Sequence, residues 1–239
     1  MKKTFNILNL ILIIAVLIGD VCYTIFGGLW LKGLTSFLFV LIGVTNLVFV
    51  FKQKLDNQKK FAIVMLIGLI FAMLGDIVLN IFFVGGAGLF AVGHVFYFIA
   101  YCVLAKFNIK DLIFALIIFV PSALVILLVP IFDFGGIFMQ VVCLVYALII
   151  SCMLGKSISN LVRQKNILNT ILVIGSCLFF FSDLMLLFNV FGDVGLWADV
   201  LCLATYYPAQ CFLAYSIKVE QEVEKQNEVK EEKKEDKAK

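Results

Sequence analysis

Long apolar runs alternate with short polar breaks along the whole chain. A helix that crosses a bilayer needs ~20 mostly apolar residues. Runs of that length recur near residues 5–26, 33–51, 61–84, 88–106, 111–130, 136–154, 168–191 and 196–217. The pattern predicts an all-α, polytopic membrane protein, a bundle of about eight transmembrane helices. The fifth run is the weakest, because Pro121 and Pro130 interrupt or end it.

The breaks are of two kinds. Gly27-Gly28, Gly85-Gly86 and Gly135-Gly136 read as short glycine-rich loops on one side, whereas the loops on the other side carry lysine. With both termini inside, 18 of the 19 basic residues face the cytoplasm and only Lys32 lies outside. That is the bias the positive-inside rule requires of short loops. An odd number of spans would put the basic 156–165 stretch and the lysine-rich end on opposite sides, so the even count is preferred. Lys32 and the inner-loop lysines read as orientation charges.

Composition sharpens this reading. The 239 residues are 63% hydrophobic and 15% charged, against roughly half and a quarter in soluble domains. The spans leave no room for a soluble catalytic domain, so any activity belongs within the bilayer and the chain is expected to be a multi-pass protein of the cell membrane. Lys2-Lys3 followed by an apolar run imitates a signal peptide. However, Gly19-Asp20-Val21-Cys22 is not a small-x-small cleavage site, and the run reads as an uncleaved first span. The seven cysteines are scattered without a CxxC pair and behave as small apolar residues.

Residues 1–217 form the expected eight-span domain. Residues 218–239 hold 7 basic and 8 acidic residues and almost nothing apolar, which predicts a solvated, disordered cytoplasmic tail. A nucleic-acid arm would carry one sign of charge, and this tail carries both.

Ionisable residues inside the apolar runs are the candidates for chemistry. A central aspartate costs ~2.5–3.5 kcal/mol on insertion and normally faces a bundle interior or a wet cavity. Gly19-Asp20, Gly75-Asp76 and Ser182-Asp183 each put a small residue before an aspartate, 15 residues after the start of an odd-numbered span. At 1.5 Å per residue each lies roughly 22 Å from the inner end. His94, 12 residues from the inner end of the fourth span, lies roughly 18 Å in. Asn80 falls one turn after Asp76 on the same face, within hydrogen-bonding reach. Ser182 and Asn189 accompany Asp183, Tyr97 and Tyr101 continue a polar stripe from His94, and Tyr206, Tyr207, Pro208 and Gln210 cluster in the eighth span. A single buried Asp or His is equally a polar clasp between helices, and for Asp20 alone that is the preferred reading.

Several chemistries are set aside. One histidine and no HExxH motif leave a zinc hydrolase short of ligands. No GxSxG, Walker loop or GxGxxG occurs. Two carboxylates and an imidazole in a low-dielectric cavity remain, which is acid–base equipment. It suits a hydrolase, a proton-coupled transporter, or an intramembrane aspartyl protease, although Leu74-Gly75-Asp76 supplies only a fragment of the GxGD element such a protease carries.

The ordered set Gly75-Asp76-Ile77-Val78-Leu79, Gly88 through Tyr97 with His94, Ser182-Asp183 and Tyr206-Tyr207-Pro208-Ala209-Gln210 resembles the YhhN-like lysoplasmalogenases over roughly residues 5–217. The resemblance implies eight spans and hydrolysis of the vinyl-ether bond of a lysophospholipid, to a fatty aldehyde and glycerophosphoethanolamine or glycerophosphocholine, with no metal or cofactor. It implies that Asp76 and Asp183 are catalytic. Asn80, His94, Tyr97, Tyr206, Tyr207, Gln210 and Asp20 are then expected to bind substrate or position water. One carboxyl must hold its proton while the other is ionised, a division that burial beside a like charge favours. The outer-half depth of the aspartates points to lipid entry from the non-cytoplasmic side.

Overall fold

The structure, a computed structural model, describes residues 2–192 and 194–219. It contains eight helices and no strand among the described residues: α1 Lys2–Phe26, α2 Leu29–Lys52, α3 Asp56–Leu79, α4 Phe83–Leu104, α5 Ile109–Leu128, α6 Ile137–Arg163, α7 Ile167–Phe191 and α8 Leu196–Ser216. Seven are long and apolar enough to cross a membrane by length and composition alone. The exception is α8, whose Asp199, Tyr206, Tyr207, Pro208 and Gln210 lower its hydropathy. Eleven of its 21 residues are buried against its neighbours, and Tyr206, Tyr207 and Gln210 among them are thereby shielded from lipid. The protein is a polytopic helical membrane bundle.

Contacts at the helix ends set the direction of each helix. Lys218 Nζ donates to Asn6 Oδ1 at 2.8 Å and Gln58 Nε2 donates to the Ile217 carbonyl at 2.9 Å, which joins the start of α1, the start of α3 and the end of α8. Asn160 Nδ2 donates to the Tyr101 carbonyl at 2.9 Å and Asn169 Nδ2 to the Gln164 carbonyl at 2.8 Å, which joins the ends of α4 and α6 to the start of α7. At the opposite end, Asp133 N donates to the Phe191 carbonyl at 2.8 Å, and the Phe83 and Phe191 rings meet at 5.6 Å. The helices therefore alternate, and both ends of the described chain lie at the lysine-rich end.

Several boundaries differ from the hydropathy pattern, two of them for a packing reason. Gly85 and Gly86 lie inside α4 and not in a loop, since the chain turns the α3–α4 corner at residues 80–82. Gly86 faces α3 so closely that a Cβ there would lie 2.3 Å from Leu79 Cα. Helix α6 continues nine residues past the predicted end at 154, and Lys156 within it is fully buried. Its ammonium donates to Asp111 Oδ2 at 2.8 Å and to the Lys106 carbonyl at 3.2 Å, while Asp111 also closes the capping box of α5 with Asn108. Lys156 is thus a structural clasp between α5 and α6 and not an orientation charge. Pro121 sits inside α5 without ending it, and Pro130 follows its last residue by two.

Helix α8 packs among α1, α2, α3 and α7, whereas α5 packs on α6 alone among the described residues. This leaves a gap between the α5–α6 pair and helices α4 and α7. Lys218 is buried, and the Val219 carbonyl accepts a hydrogen bond from Gln58 Nε2 at 2.6 Å. The bundle reaches at least residue 219, and residues 220–239 lie outside the described residues.

Candidate active site within the bundle

Asp76 projects from the last turn of α3 and is 3% exposed. Its partners come from α2. Ser36 Oγ lies 2.6 Å from Asp76 Oδ2, and Lys32 Nζ stands 3.7 Å from Oδ1. The Tyr206 hydroxyl of α8 lies beside the carboxylate without closing a hydrogen bond. Asn80, expected to hydrogen-bond this carboxylate, donates instead to the Asp76 backbone carbonyl at 2.8 Å. Helix α3 ends there, so that carbonyl has lost its ordinary partner one turn on and takes the amide.

Asp183 of α7 receives two donors on one oxygen. The Tyr146 hydroxyl of α6 donates to Oδ2 at 2.8 Å, and His94 Nε2 of α4 lies 3.1 Å from the same atom and 2.9 Å from the Tyr146 oxygen. The imidazole is fully buried, with its ring centroid 4.6 Å from Phe179, and its Nδ1 has no partner. With a proton on Nε2 the ring supplies the Asp183 carboxyl group with a second donor. Asp183 Oδ1 has no protein partner among the described residues.

Both carboxylates line one cavity of about 210 Å³, together with Lys32, Asn80, Tyr206 and Asp199. It is polar and has room for several waters. A second, apolar cavity of about 80 Å³ occupies the gap between α4, α5, α6 and α7, walled by Phe90, Ile126, Val142, Cys143 and Leu187. The two cavities share Asp183, Phe83, Phe90 and Leu186. Asp183 therefore stands where an apolar trench meets a polar chamber.

Of the residues singled out from the sequence, Asp76, Asn80, Ser182, Asp183, Asn189 and Tyr206 line the polar chamber, and His94 reaches it through Asp183. The others lie outside it. Tyr97 donates to Gln210 Oε1 at 2.9 Å, a fully buried clasp between α4 and α8. Tyr207 is fully buried with its hydroxyl unpaired, and Asp20 is buried in α1 with Oδ1 unpaired. Tyr101 meets Ser176 at 2.9 Å, whereas Ser182, on the chamber wall, meets Cys202 Sγ at 3.4 Å. The polar stripe on α4 thus divides among three separate contacts.

Sequence reasoning missed Lys32, Ser36, Tyr146 and Asp199. Lys32 had been read as an outside loop charge, yet it is 6% exposed and faces Asp76. Its position as the one basic residue on the outer side was the available signal. Tyr146, in an apolar run, offered none.

Fold and site together define a polytopic helical membrane protein whose paired intramembrane carboxylates open on a chamber divided into polar and apolar halves. The chain belongs to the YhhN family, whose family model matches residues 28–217, and this membership points to a hydrolase-type role. The match begins after α1, later than the resemblance read from residue 5. It leaves Asp20 outside and includes every residue that lines the two cavities except Tyr23. No curated protein and no solved structure matches the chain.

Proposed function

We propose that this protein hydrolyses the vinyl-ether bond of lysoplasmalogens, releasing a fatty aldehyde and a glycerophospho-alcohol. The observation that carries the reading is the junction at Asp183. A single-chain lipid is apolar along its chain and polar at its head, and its enol ether lies where the two meet. The apolar trench and the polar chamber reproduce that division around one carboxyl group.

Chemistry and geometry agree. A proton added to the carbon β to the ether oxygen gives an oxocarbenium ion. Water adds to the cationic carbon and loses a proton, and the hemiacetal collapses to aldehyde and alcohol. Asp183 suits the proton donor: Tyr146 and His94 both hold Oδ2, so its proton belongs on Oδ1, the oxygen without a protein partner. Asp76 suits the ionised role. The Lys32 ammonium stands 3.7 Å from its Oδ1 and the Ser36 hydroxyl donates to its Oδ2, and from the shared cavity it can face the cation and take the proton that water loses. Two-carboxyl handling of an oxocarbenium ion has an analogy in glycosidases.

The test uses purified protein in detergent, with lysoplasmenylethanolamine as substrate and aldehyde release as the readout. The expected result is turnover by the native chain and loss of about 10²–10⁴-fold in each of Asp76→Asn and Asp183→Asn. Undiminished turnover in both variants removes the mechanism. Solute-driven proton uptake into liposomes without aldehyde release would replace the reading with a transporter.

A further inference from the structure

The polar chamber holds charged groups that the proposed reaction does not use directly. We propose that Lys32 and Asp199 grip the two charges of a zwitterionic lysophospholipid headgroup. Lys32 takes the phosphate, and Asp199 takes the head ammonium. The identity of the ligand rests on the lipid-hydrolase reading; the test below does not depend on turnover.

A comparison within the molecule separates the two buried lysines. Lys156 is a closed clasp: its ammonium reaches Asp111 at 2.8 Å and the Lys106 carbonyl at 3.2 Å, and it lines neither cavity. Lys32 is nearly as buried, but its ammonium stops 3.7 Å from Asp76, too far for a direct hydrogen bond, and 5.6 Å from the Tyr23 ring centroid. An ammonium carries three donors. Lys32 brings its own to the wall of a 210 Å³ chamber without closing a hydrogen bond to Asp76, which is the arrangement expected of a cation that awaits an anionic ligand.

The other charges in the chamber restrict which anion enters. Asp76, Asp183 and Asp199 all face it, so a ligand of net negative charge meets carboxylates beyond Lys32. A zwitterion answers both signs. Asp199 lies in the first turn of α8, held by Asn189 Nδ2 at 3.3 Å, and supplies a carboxylate that the proton chemistry leaves free. Lys32 lies in the first turn of α2, also at the end of the bundle opposite the lysine-rich loops. Both grips therefore sit where a headgroup would remain while its chain reaches down the trench.

The experiment measures equilibrium binding, by titration calorimetry of the full chain in detergent, of three saturated 1-O-alkyl lipids that cannot be hydrolysed: alkylglycerophosphoethanolamine, alkylglycerophosphate and alkylglycerol. Native protein is expected to bind the phosphoethanolamine lipid at least about tenfold more tightly than alkylglycerol. Lys32→Met loses that preference and Lys32→Arg keeps most of it. Because Lys32→Met strands a buried carboxylate, Lys32→Met/Asp76→Asn, which removes both charges, is expected to fold and to show the same loss. Asp199→Asn narrows the gap between the phosphoethanolamine and phosphate lipids. No headgroup preference in the native protein, or full preference in the double variant, overturns the Lys32 assignment; an unchanged gap in Asp199→Asn overturns the Asp199 assignment. Headgroup preference without aldehyde release from a vinyl-ether lipid refutes the hydrolase reading alone. Aldehyde release without headgroup preference refutes the grip alone.

Discussion

The Lys32 ammonium lies 3.7 Å from Asp76 Oδ1 across the contact between α2 and α3, with the two side chains 8% and 4% exposed. Charges at that depth hold each other in place, and removal of one leaves the other uncompensated. Lys32→Met is therefore expected to destabilise the bundle by about 3–5 kcal/mol, and Lys32→Met/Asp76→Asn to recover most of that loss. Denaturant unfolding in detergent measures it. Equal stability of the native chain and the single variant would mean that the pair is not coupled.

Tyr146 acts on Asp183 through one hydrogen bond of 2.8 Å. Tyr146→Phe keeps the ring that packs on His94 and removes only the donor. A hydrogen bond between neutral groups is worth about 0.5–1.5 kcal/mol net, so kcat for aldehyde release is expected to fall roughly twofold to tenfold at 1.4 kcal/mol per decade, with KM little changed. A change confined to KM would move Tyr146 out of the reacting cluster and into substrate binding.

The apolar trench is expected to measure chain length. Cys143 is half-buried in its wall, and Cys143→Trp fills the space. Four displaced methylenes at ~0.8 kcal/mol each amount to about 3 kcal/mol. Long-chain lysoplasmalogens should lose about two decades in kcat/KM while short-chain vinyl ethers lose little. Assay of a chain-length series checks this, and a uniform loss at every length would show that the chain binds elsewhere.

Lys156 and Asp111 test the structural clasp independently of the site. Lys156→Ala is expected to destabilise the protein by about 3–5 kcal/mol by taking from buried Asp111 its nearest cation, whereas Lys156→Met/Asp111→Leu is expected to recover most of that loss. Thermal unfolding in detergent reads both. A double variant no better than the single one would show that the carboxylate is held by Asn108 and Arg163 instead.

Hydropathy and charge placement are one-dimensional properties, and they made most of the architecture legible. The number of helices, their alternation and the common side of both ends followed from apolar run lengths and lysine positions. Asp76 and Asp183 also stood out, because a carboxylate in an apolar helix is too costly to be incidental. Helical spacing carried less far. It put Asn80 on the face of Asp76, yet the amide serves the helix end. It joined His94, Tyr97 and Tyr101 in one stripe, yet Tyr97 turns to α8 while His94 and Tyr101 meet α7 at separate points.

What the sequence determined by itself is the membrane bundle and the presence of costly polar groups inside it, since both depend on residue type and order along one chain. Which of those groups share a cavity was decided only by tertiary structure. Lys32, Tyr146 and Asp199 come to the carboxylates from α2, α6 and α8, while Tyr97 and Gln210 close on each other between α4 and α8, and Asp20 and Tyr207 are buried away from the chamber. Whether a buried polar side chain meets another helix or an open chamber depends on how the helices pack.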